Sequence, residues 1–412
     1  MIAKTNVFHY DKSVMKPVTD PQKIAHLLEY QLVDVIVRAS LEKKLQSGKV
    51  LRIKLGADPS RPDLHIGHAV VLRKLKEFQD LGHQVVFVIG DFTALIGDPS
   101  GKSKTRPMLT TEEIKKNADT YFKQVGKVLD AKKCEVRFNA EWLGKLSAAD
   151  FISLTSKFTV ARILERDDFS KRYKDGVDIH LHELLYPMLQ AQDSIALEAD
   201  VEIGATDQTF NMLAGRDLAR RLGKPEQDVM TCAILVGTDG VHKMSKSLDN
   251  YIGLEDSADD MYGKTMSIPD TALPNWFELA ADFSAEEIKT EMKALRDGEN
   301  PRDVKARLAY RIVKLYHGAK EADAAATNFI SRFKDKEIPT DMPEVKAAGK
   351  IKVLDALVLV GACTSKGDAR RQMEQGGVKV DGKVVEDINA EVAAGAVIQK
   401  GKRYFVRVIE RR

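Results

Sequence analysis

The chain has 412 residues, 43% of them hydrophobic and 30% charged, and its 64 Lys and Arg against 61 Asp and Glu leave a formal net charge of only +3. Such a profile excludes a disordered polyelectrolyte and a globally basic nucleic-acid binder, so any nucleic-acid contact must come from locally concentrated charge. Cys134, Cys232 and Cys363 lie far apart with no Cys-x-x-Cys spacing, which argues against a disulfide framework or cysteine zinc site and suits a reducing compartment.

The start has no apolar h-region and no run reaches the roughly 18 apolar residues of a membrane span, so a cytoplasmic protein without membrane contact is expected. Length alone predicts two to four domains. Residues 50–59, VLRIKLGADP, read as a short buried strand ending at Gly56 and Pro59. Residues 64–82 carry apolar side chains on one helical face, with Asp63 as N-cap and Gly82 as the stop. A second strand follows at 83–91, then a helix over 110–130 whose Thr110 and Glu113 have capping-box spacing, then a third strand at 134–139. After a mostly helical stretch, sheet character returns at 199–208 and 229–237. Strands alternating with helices predict an α/β fold with a doubly wound parallel sheet, which binds ligands beyond the carboxyl ends of its strands.

The organisation expected is a Rossmann-like domain with a helical insertion over 1–236, a loop-bearing segment over 237–265 and an α-helical domain over 266–335. A charged, proline-containing linker over 336–349 and a small α+β domain over 350–412 complete it.

Two segments carry chemistry. In PDLHIGHAVVL (62–72), His65 and His68 stand three apart at the start of a helix, with Gly67 between them. That spacing puts both imidazoles on one face, and a helix N-terminus with neutral imidazoles suits a polyphosphate gaining charge during phosphoryl or nucleotidyl transfer. Taken alone, the pair reads equally well as two surface histidines. In GTDGVHKMSKSLDN (237–250), Lys243 and Lys246 flank Met244 and Ser245, with Ser247 next, in a polar loop after an apolar strand. Mobile lysines can close over leaving phosphates, although a lone Lys-x-x-Lys is most simply a solvated loop. The two segments in this order, with a sheet between them, are far more specific than either.

HIGH (65–68) and KMSKS (243–247) match the two signatures of class I aminoacyl-tRNA synthetases. The wider chain resembles the tyrosyl-tRNA synthetases of bacterial type through LGADPSRPDLHIGH, LIGDPSGKSKTR, YPMLQAQD, IGATDQ and the C-terminal module. The resemblance implies activation of L-tyrosine by ATP with Mg2+, transfer of the tyrosyl group to tRNA(Tyr), and a homodimer; it implies no structural metal. It places His65, His68, Lys243 and Lys246 in catalysis, and Gly56, Asp58, Gly67, Asp207, Met244, Ser245 and Ser247 at the nucleotide. The residues matching Tyr186, Gln190 and Asp98 would hold the substrate amine, Asp193 the phenol, and Gln208 would lie near the carbonyl. Tyr186, Gln190 and Asp193 also fall at i, i+4 and i+7, one polar stripe of a helix that Pro187 is expected to bend.

Two positions depart from the family pattern. Lys54 stands where many members carry tyrosine, and either pairs with a nearby carboxylate or points away; Glu202 replaces a glutamine of some relatives. Residues 266–335 would form the anticodon-side domain. Residues 351–385 resemble an S4-type RNA-binding domain, with Asp381 where asparagine is common. Residues 350–412 hold 13 Lys and Arg against 8 Asp and Glu, an excess of five that exceeds the whole chain's +3. Lys366, Arg370, Arg371, Lys379 and Lys383 are the expected RNA contacts. A tryptophan enzyme, a nucleotidyltransferase without tRNA and a catalytically idle RNA-binding paralogue are the competing readings.

Overall fold

The computed structural model describes residues 16–59, 63–100, 110–334, 342–401 and 404–410. The chain divides into two compact units, Met1–Ala326 and Thr327–Arg412.

The first unit is organised on a six-stranded sheet of β1 (Leu32–Ile36), β2 (Arg52–Ala57), β3 (Gln84–Ile89), β4 (Cys134–Phe138), β5 (Val201–Ala205) and β6 (Asp228–Cys232), in the order β1-β6-β5-β2-β3-β4. Strands β2 to β6 run parallel to their neighbours, as expected, and β1 adds an antiparallel edge on β6. All six side chains of β3 are buried, which is why Val85–Ile89 is an unbroken apolar run rather than an alternation. Strand β1 lacks that signal: its LVDVI is only half-buried, and it escapes a search for apolar periodicity. The chain winds from β2 to β3 on one side and from β5 to β6 on the other. The sheet therefore has its switch point between β2 and β5, where a crevice opens at the strands' carboxyl ends.

Helix α1 (Ile66–Asp80) follows β2 and buries Ile66, Ala69, Val70, Leu72, Leu75 and Phe78. Its N-cap is His65, not Asp63 as expected from side-chain preference: the backbone is still extended at His65 (φ −125°, ψ 168°), and the Asp63 carboxylate lies beside Lys246 instead. The helix stops as expected at Gly82, whose φ of 85° favours glycine. The insertion between β4 and β5 is helical and ends in α2 (Leu181–Ala196), which carries Pro187 internally. Helix α3 (Thr209–Arg221) follows β5. Leu189 and Ala191 of α2 share an apolar cluster with Ala214 and Leu218 of α3 and with Leu143 and Leu154. Each such large side chain contributes about 1.5–3 kcal/mol on burial, so the polar stripe of α2 is carried on a firmly packed helix. The expected helical region consists of Leu273–Leu279, Ala285–Arg296, Pro301–His317 and Ala319–Lys334. Reciprocal Ser284–Glu287 bonds cap the second of these, and Asn300 followed by Pro301 opens the third.

In the second unit, β7 (Glu344–Ala347), β9 (Val378–Val380), β10 (Lys383–Val384), β12 (Val397–Lys400) and β13 (Tyr404–Glu410) form one sheet; β8 (Ile351–Lys352) pairs with β11 (Glu391–Val392). Its core gathers Val353, Leu357, Ala369, Met373, Val378, Ile398, Val406 and Val408. The C-terminal part of the linker expected over 336–349 is a strand. Residues 335–341 lie outside the described residues, but Glu344–Ala347 pairs in parallel with β13, with Val345 opposite Val408. The burial alternates along that strand, a signal that nearby prolines and charges obscured.

Candidate active site

A cavity of about 720 Å3 opens at the carboxyl ends of β2, β3 and β5. Every residue expected at the nucleotide or the amino acid lines it: Gly56, Asp58, His65, Gly67, His68, Asp98, Tyr186, Gln190, Asp193, Asp207, Gln208, Lys243, Met244, Ser245, Lys246 and Ser247.

The two histidines sit at the first turn of α1 with ring centroids 3.7 Å apart. The His65 backbone N–H donates to His68 Nδ1 at 3.1 Å, which leaves the His68 proton on Nε2. Burial, then the positive charges of Lys246 and Lys243, lower the His68 pKa to about 4. His65 is held well below its ordinary value by burial, by His68 and by the same lysines. Both rings are therefore neutral near pH 7, able to donate one hydrogen bond without bringing a charge. His65 Nδ1 is buried without a partner. A Cβ on Gly67 would stand 2.9 Å from it, so the glycine is required by its own neighbour in the motif.

The lysine loop is folded against this helix start. Val236 bridges to Lys243, and Gly237 N–H donates to His242 O at 2.7 Å. Asn250 pins the turn: its Oδ1 accepts from Ser245 N–H at 2.7 Å, and its Nδ2 donates to Asp239 and to Lys243 O. Met244 is buried, 3.4 Å from where a Gly67 Cβ would lie, so the Met of one motif packs on the Gly of the other. Lys243 Nζ lies 2.6 Å from Asp207 Oδ2, and Lys246 Nζ 3.3 Å from Asp63 Oδ2.

The side expected to take the amino acid is built differently. Asp193 is 4% exposed. Its Oδ1 accepts from Trp142 Nε1 at 2.8 Å and its Oδ2 from Asn139 Nδ2 at 3.3 Å. Burial raises its pKa to about 6 against the opposing effects of the Lys54 charge and those two donors. Tyr186 OH donates to Asp58 Oδ2 at 2.9 Å, while Thr93 Oγ1 donates to Asp58 Oδ1 at 2.7 Å. Burial and the Asp58 charge hold the Tyr186 phenol well above its usual pKa, so it stays neutral. Gln208 Nε2 donates to Asp98 Oδ2 at 2.8 Å, and Gln208 Oε1 accepts from Asn211.

Lys54 does not point away. It lies opposite Glu202 in the β2–β5 register, its Nζ is 2.8 Å from Glu202 Oε1, and the two side chains are 1% and 2% exposed. Asn139, Thr93 and Gly90 also line the cavity, with Trp142 bonded to Asp193, and none of the four was singled out from the sequence. Gly90 had a signal, a glycine directly after a buried run; a Cβ there would stand 2.0 Å from Asp58 Oδ1. Asn139 and Trp142 had none, because their partner Asp193 is on another element more than fifty residues away.

In the second unit, Lys366, Arg370 and Arg371 lie on the helix Lys366–Glu374 behind its N-cap Ser365, their side chains 72%, 60% and 72% exposed. Asp381 and Gly382 turn the β9–β10 hairpin with φ of 47° and 82°; the left-handed position suits Asp nearly as well as the family's Asn. Lys379 faces Val384 and Lys383 faces Val380 across the ladder, so the hairpin places these two lysines on opposite faces rather than together.

Residues 46–334 match the family described as class I tRNA synthetases (W and Y), and residues 335–408 match the tyrosine--tRNA ligase SYY-like C-terminal domain. The chain is 50% identical over 391 residues to the tyrosine--tRNA ligase of Thermotoga maritima, covering 94% of this chain and 98% of that protein. It is 49% identical over 381 residues to that of Bordetella avium, covering 91% and 93%. The fold is shared with the tyrosyl-tRNA synthetase of Archaeoglobus fulgidus solved with L-tyrosine, at a TM-score of 0.61 and 22% identity over 74% of this chain and 99% of that one. With its sheet, both signatures and its C-terminal unit accounted for, this chain belongs to the class I tRNA synthetases of the tryptophan and tyrosine group.

Proposed function

We propose that this chain is a tyrosine--tRNA ligase in which one half of the cavity performs adenylation and the other selects the phenol. The substrate carboxylate attacks the α-phosphorus of ATP, forming the acyl–phosphate bond as pyrophosphate leaves. The neutral His65 and His68 donate to the phosphate oxygens as charge builds on them, and Lys243 and Lys246 neutralise the departing pyrophosphate. Asp207 exchanges Lys243 for the ribose hydroxyls. Among the described residues no cluster of three or more His, Cys, Asp or Glu could hold a metal ion; Mg2+ fits this site as a companion of the triphosphate, held mainly by phosphate oxygens and water.

In the second step the terminal adenosine hydroxyl of tRNA(Tyr) attacks the carbonyl carbon beside Gln208, and AMP leaves. Lys366, Arg370 and Arg371 would grip RNA phosphates, with Lys379 and Lys383 reaching from either face of their hairpin. A homodimer and a cytoplasmic location belong to the same proposal. Exposed Ile152, Val160, Tyr173 and Leu181 of the helical insertion are apolar side chains a second copy would cover, and no described helix is long and apolar enough to cross a membrane.

The observation that carries the tyrosine assignment is Asp193: a buried carboxylate with two donors and room left to accept a third. A phenol satisfies it, and a phenyl or indole ring does not offer a hydroxyl there. ATP–pyrophosphate exchange without tRNA, driven by tyrosine, phenylalanine or tryptophan, tests this. Exchange with tyrosine alone is expected; exchange with tryptophan would overturn the substrate, and none with any of the three would overturn the activity.

A further inference from the structure

We propose that the buried Lys54–Glu202 pair is a positioning element of the amino-acid pocket, which turns the carbonyl oxygen of the Gln190 amide toward the substrate and so selects ligands carrying a free α-ammonium group. This rests on the tyrosine reading above, with Gln190 beside the substrate amine.

The pair occupies adjacent strands at the switch point of the sheet, Lys54 opposite Glu202. Each group is fully engaged. Lys54 Nζ donates to Glu202 Oε1, to Ser194 Oγ at 2.9 Å and to the Gln190 backbone carbonyl at 3.2 Å. Glu202 also accepts from Gln190 Nε2 at 3.0 Å, from Ser194 Oγ at 2.7 Å and from Gln227 Nε2 at 3.2 Å. Gly215 leaves the room this network needs, since a Cβ there would stand 2.2 Å from Gln227 Nε2.

Gln190 is thus held at two points, its main-chain oxygen by Lys54 and its side-chain nitrogen by Glu202. An ionised carboxylate can only accept. Flipping the amide would set its oxygen 3.0 Å from a carboxylate oxygen, so Glu202 fixes which end faces it. The carbonyl end is what remains for the cavity, which Gln190 lines together with Asp98 and Tyr186. Tyr186 donates its hydroxyl hydrogen bond to Asp58, so its oxygen too presents lone pairs. Three acceptors suit the three donors of an ammonium group and repel nothing that an amine brings. A neutral glutamine at 202 would accept either orientation of Gln190. A carboxylate at 202 could not stay buried without a cation, and a lysine at 54 could not stay buried without an anion. The two departures from the family pattern are therefore one coupled change.

The experiment compares binding of L-tyrosine with that of 3-(4-hydroxyphenyl)propanoate, which lacks the amine, by calorimetry on the full chain. Glu202→Gln alone strands a buried lysine, so the main variant is Lys54→Met/Glu202→Gln, which removes both charges. Its preference for tyrosine over the amine-free acid should fall about tenfold, the worth of one good hydrogen bond to a charged group, through KM for tyrosine rather than kcat. Lys54→Arg, which keeps the charge, should retain the preference. Parallel loss of both ligands, or an unchanged ratio, overturns the proposal. A measurement on the unaltered chain reports independently of folding in the variants: the Gln190 side-chain amide protons should resist solvent exchange with and without tyrosine, and rapid exchange in either state overturns it. Tyrosine-dependent exchange of pyrophosphate by the unaltered chain separates the two levels, because its absence defeats the tyrosine reading itself.

Discussion

The two halves of the cavity handle charge in opposite ways. On the nucleotide side the charged groups remain partly open, Lys243 at 37% and Asp207 at 25%, and each lysine is held by a carboxylate that ATP must displace or share. On the amino-acid side, Asp193 and Glu202 are almost fully buried and already oriented by fixed donors, with Asp193 able to accept one more bond. Contacts that form only as phosphate charge develops lower the barrier, while contacts prepaid in the folded state discriminate between ligands. Under the proposed function, the difference gives rate to one half and selectivity to the other.

The largest expected effect tests the first assignment. His68→Ala removes a neutral donor from the phosphate side, and adenylate formation should slow by about 100- to 1,000-fold, as for loss of one preorganised donor to a developing oxyanion. Tyrosine affinity, measured by equilibrium binding, should stay where it was. A matching loss of tyrosine binding would break the division between the halves.

Asp193→Ala tests the second. Losing a hydrogen bond to a buried carboxylate costs about 1.5–3 kcal/mol, so preference for tyrosine over phenylalanine should fall by one to two orders of magnitude while the KM for ATP holds. Exchange assays with both amino acids over a range of ATP concentrations read both quantities. The same carboxylate sets a pH dependence. Folding raises its pKa from 3.8 to about 6, so the folded chain binds this proton more tightly than the unfolded one. Its contribution therefore opposes stability as pH rises from about 4 to 6. Function has the reverse sign, because the ionised form is the better acceptor: kcat/KM for tyrosine should fall as pH drops below about 6. Trp142 and Asn139 contact Asp193 directly, and Lys54 and Glu202 influence it by charge; His68, near 4, begins to protonate only at the acid end of that range, and His65 is held well below its ordinary value. Asp193→Asn should erase the limb, and its persistence would assign it elsewhere.

The halves also differ in how far the sequence discloses them. HIGH and KMSKS are short segments whose contacts are mostly local: His65 N–H to His68, Ser245 to Asn250, Val236 to Lys243. Residues close in the chain stay close in space, so the letters carry the geometry. The parallel sheet was legible for a related reason, since β3 carries Val85–Ile89 as a continuous apolar run and the strands alternate with helices along the chain. The tyrosine half is assembled from β2, the start of the segment after β4, α2 and β5. Asp193, Gln190 and Tyr186 showed as a stripe on one helix, but Trp142 and Asn139 meet Asp193 only through the fold. Lys54 and Glu202 each looked like an isolated departure until the β2–β5 register paired them. Side-chain preference also misplaced the cap of α1, because Asp63 serves Lys246 rather than the helix.

The smallest effect lies outside the cavity and sharpens the contrast from the other direction. The cations of the helix Lys366–Glu374 are neither prepaid by burial nor spent in a transition state. Arg371 is 72% exposed and its nearest carboxylate, Asp368, is 3.9 Å away, a pairing that water and salt largely screen. Its worth should appear only against a polyanion. Arg371→Ala should weaken tRNA binding several-fold at low salt and reduce the slope of log affinity against log salt by about one ion. Titrations of labelled tRNA at several salt concentrations give that slope. An unchanged slope would remove Arg371 from the RNA contact, whereas a change in tyrosine-dependent exchange without tRNA would mean that its charge reaches the cavity after all.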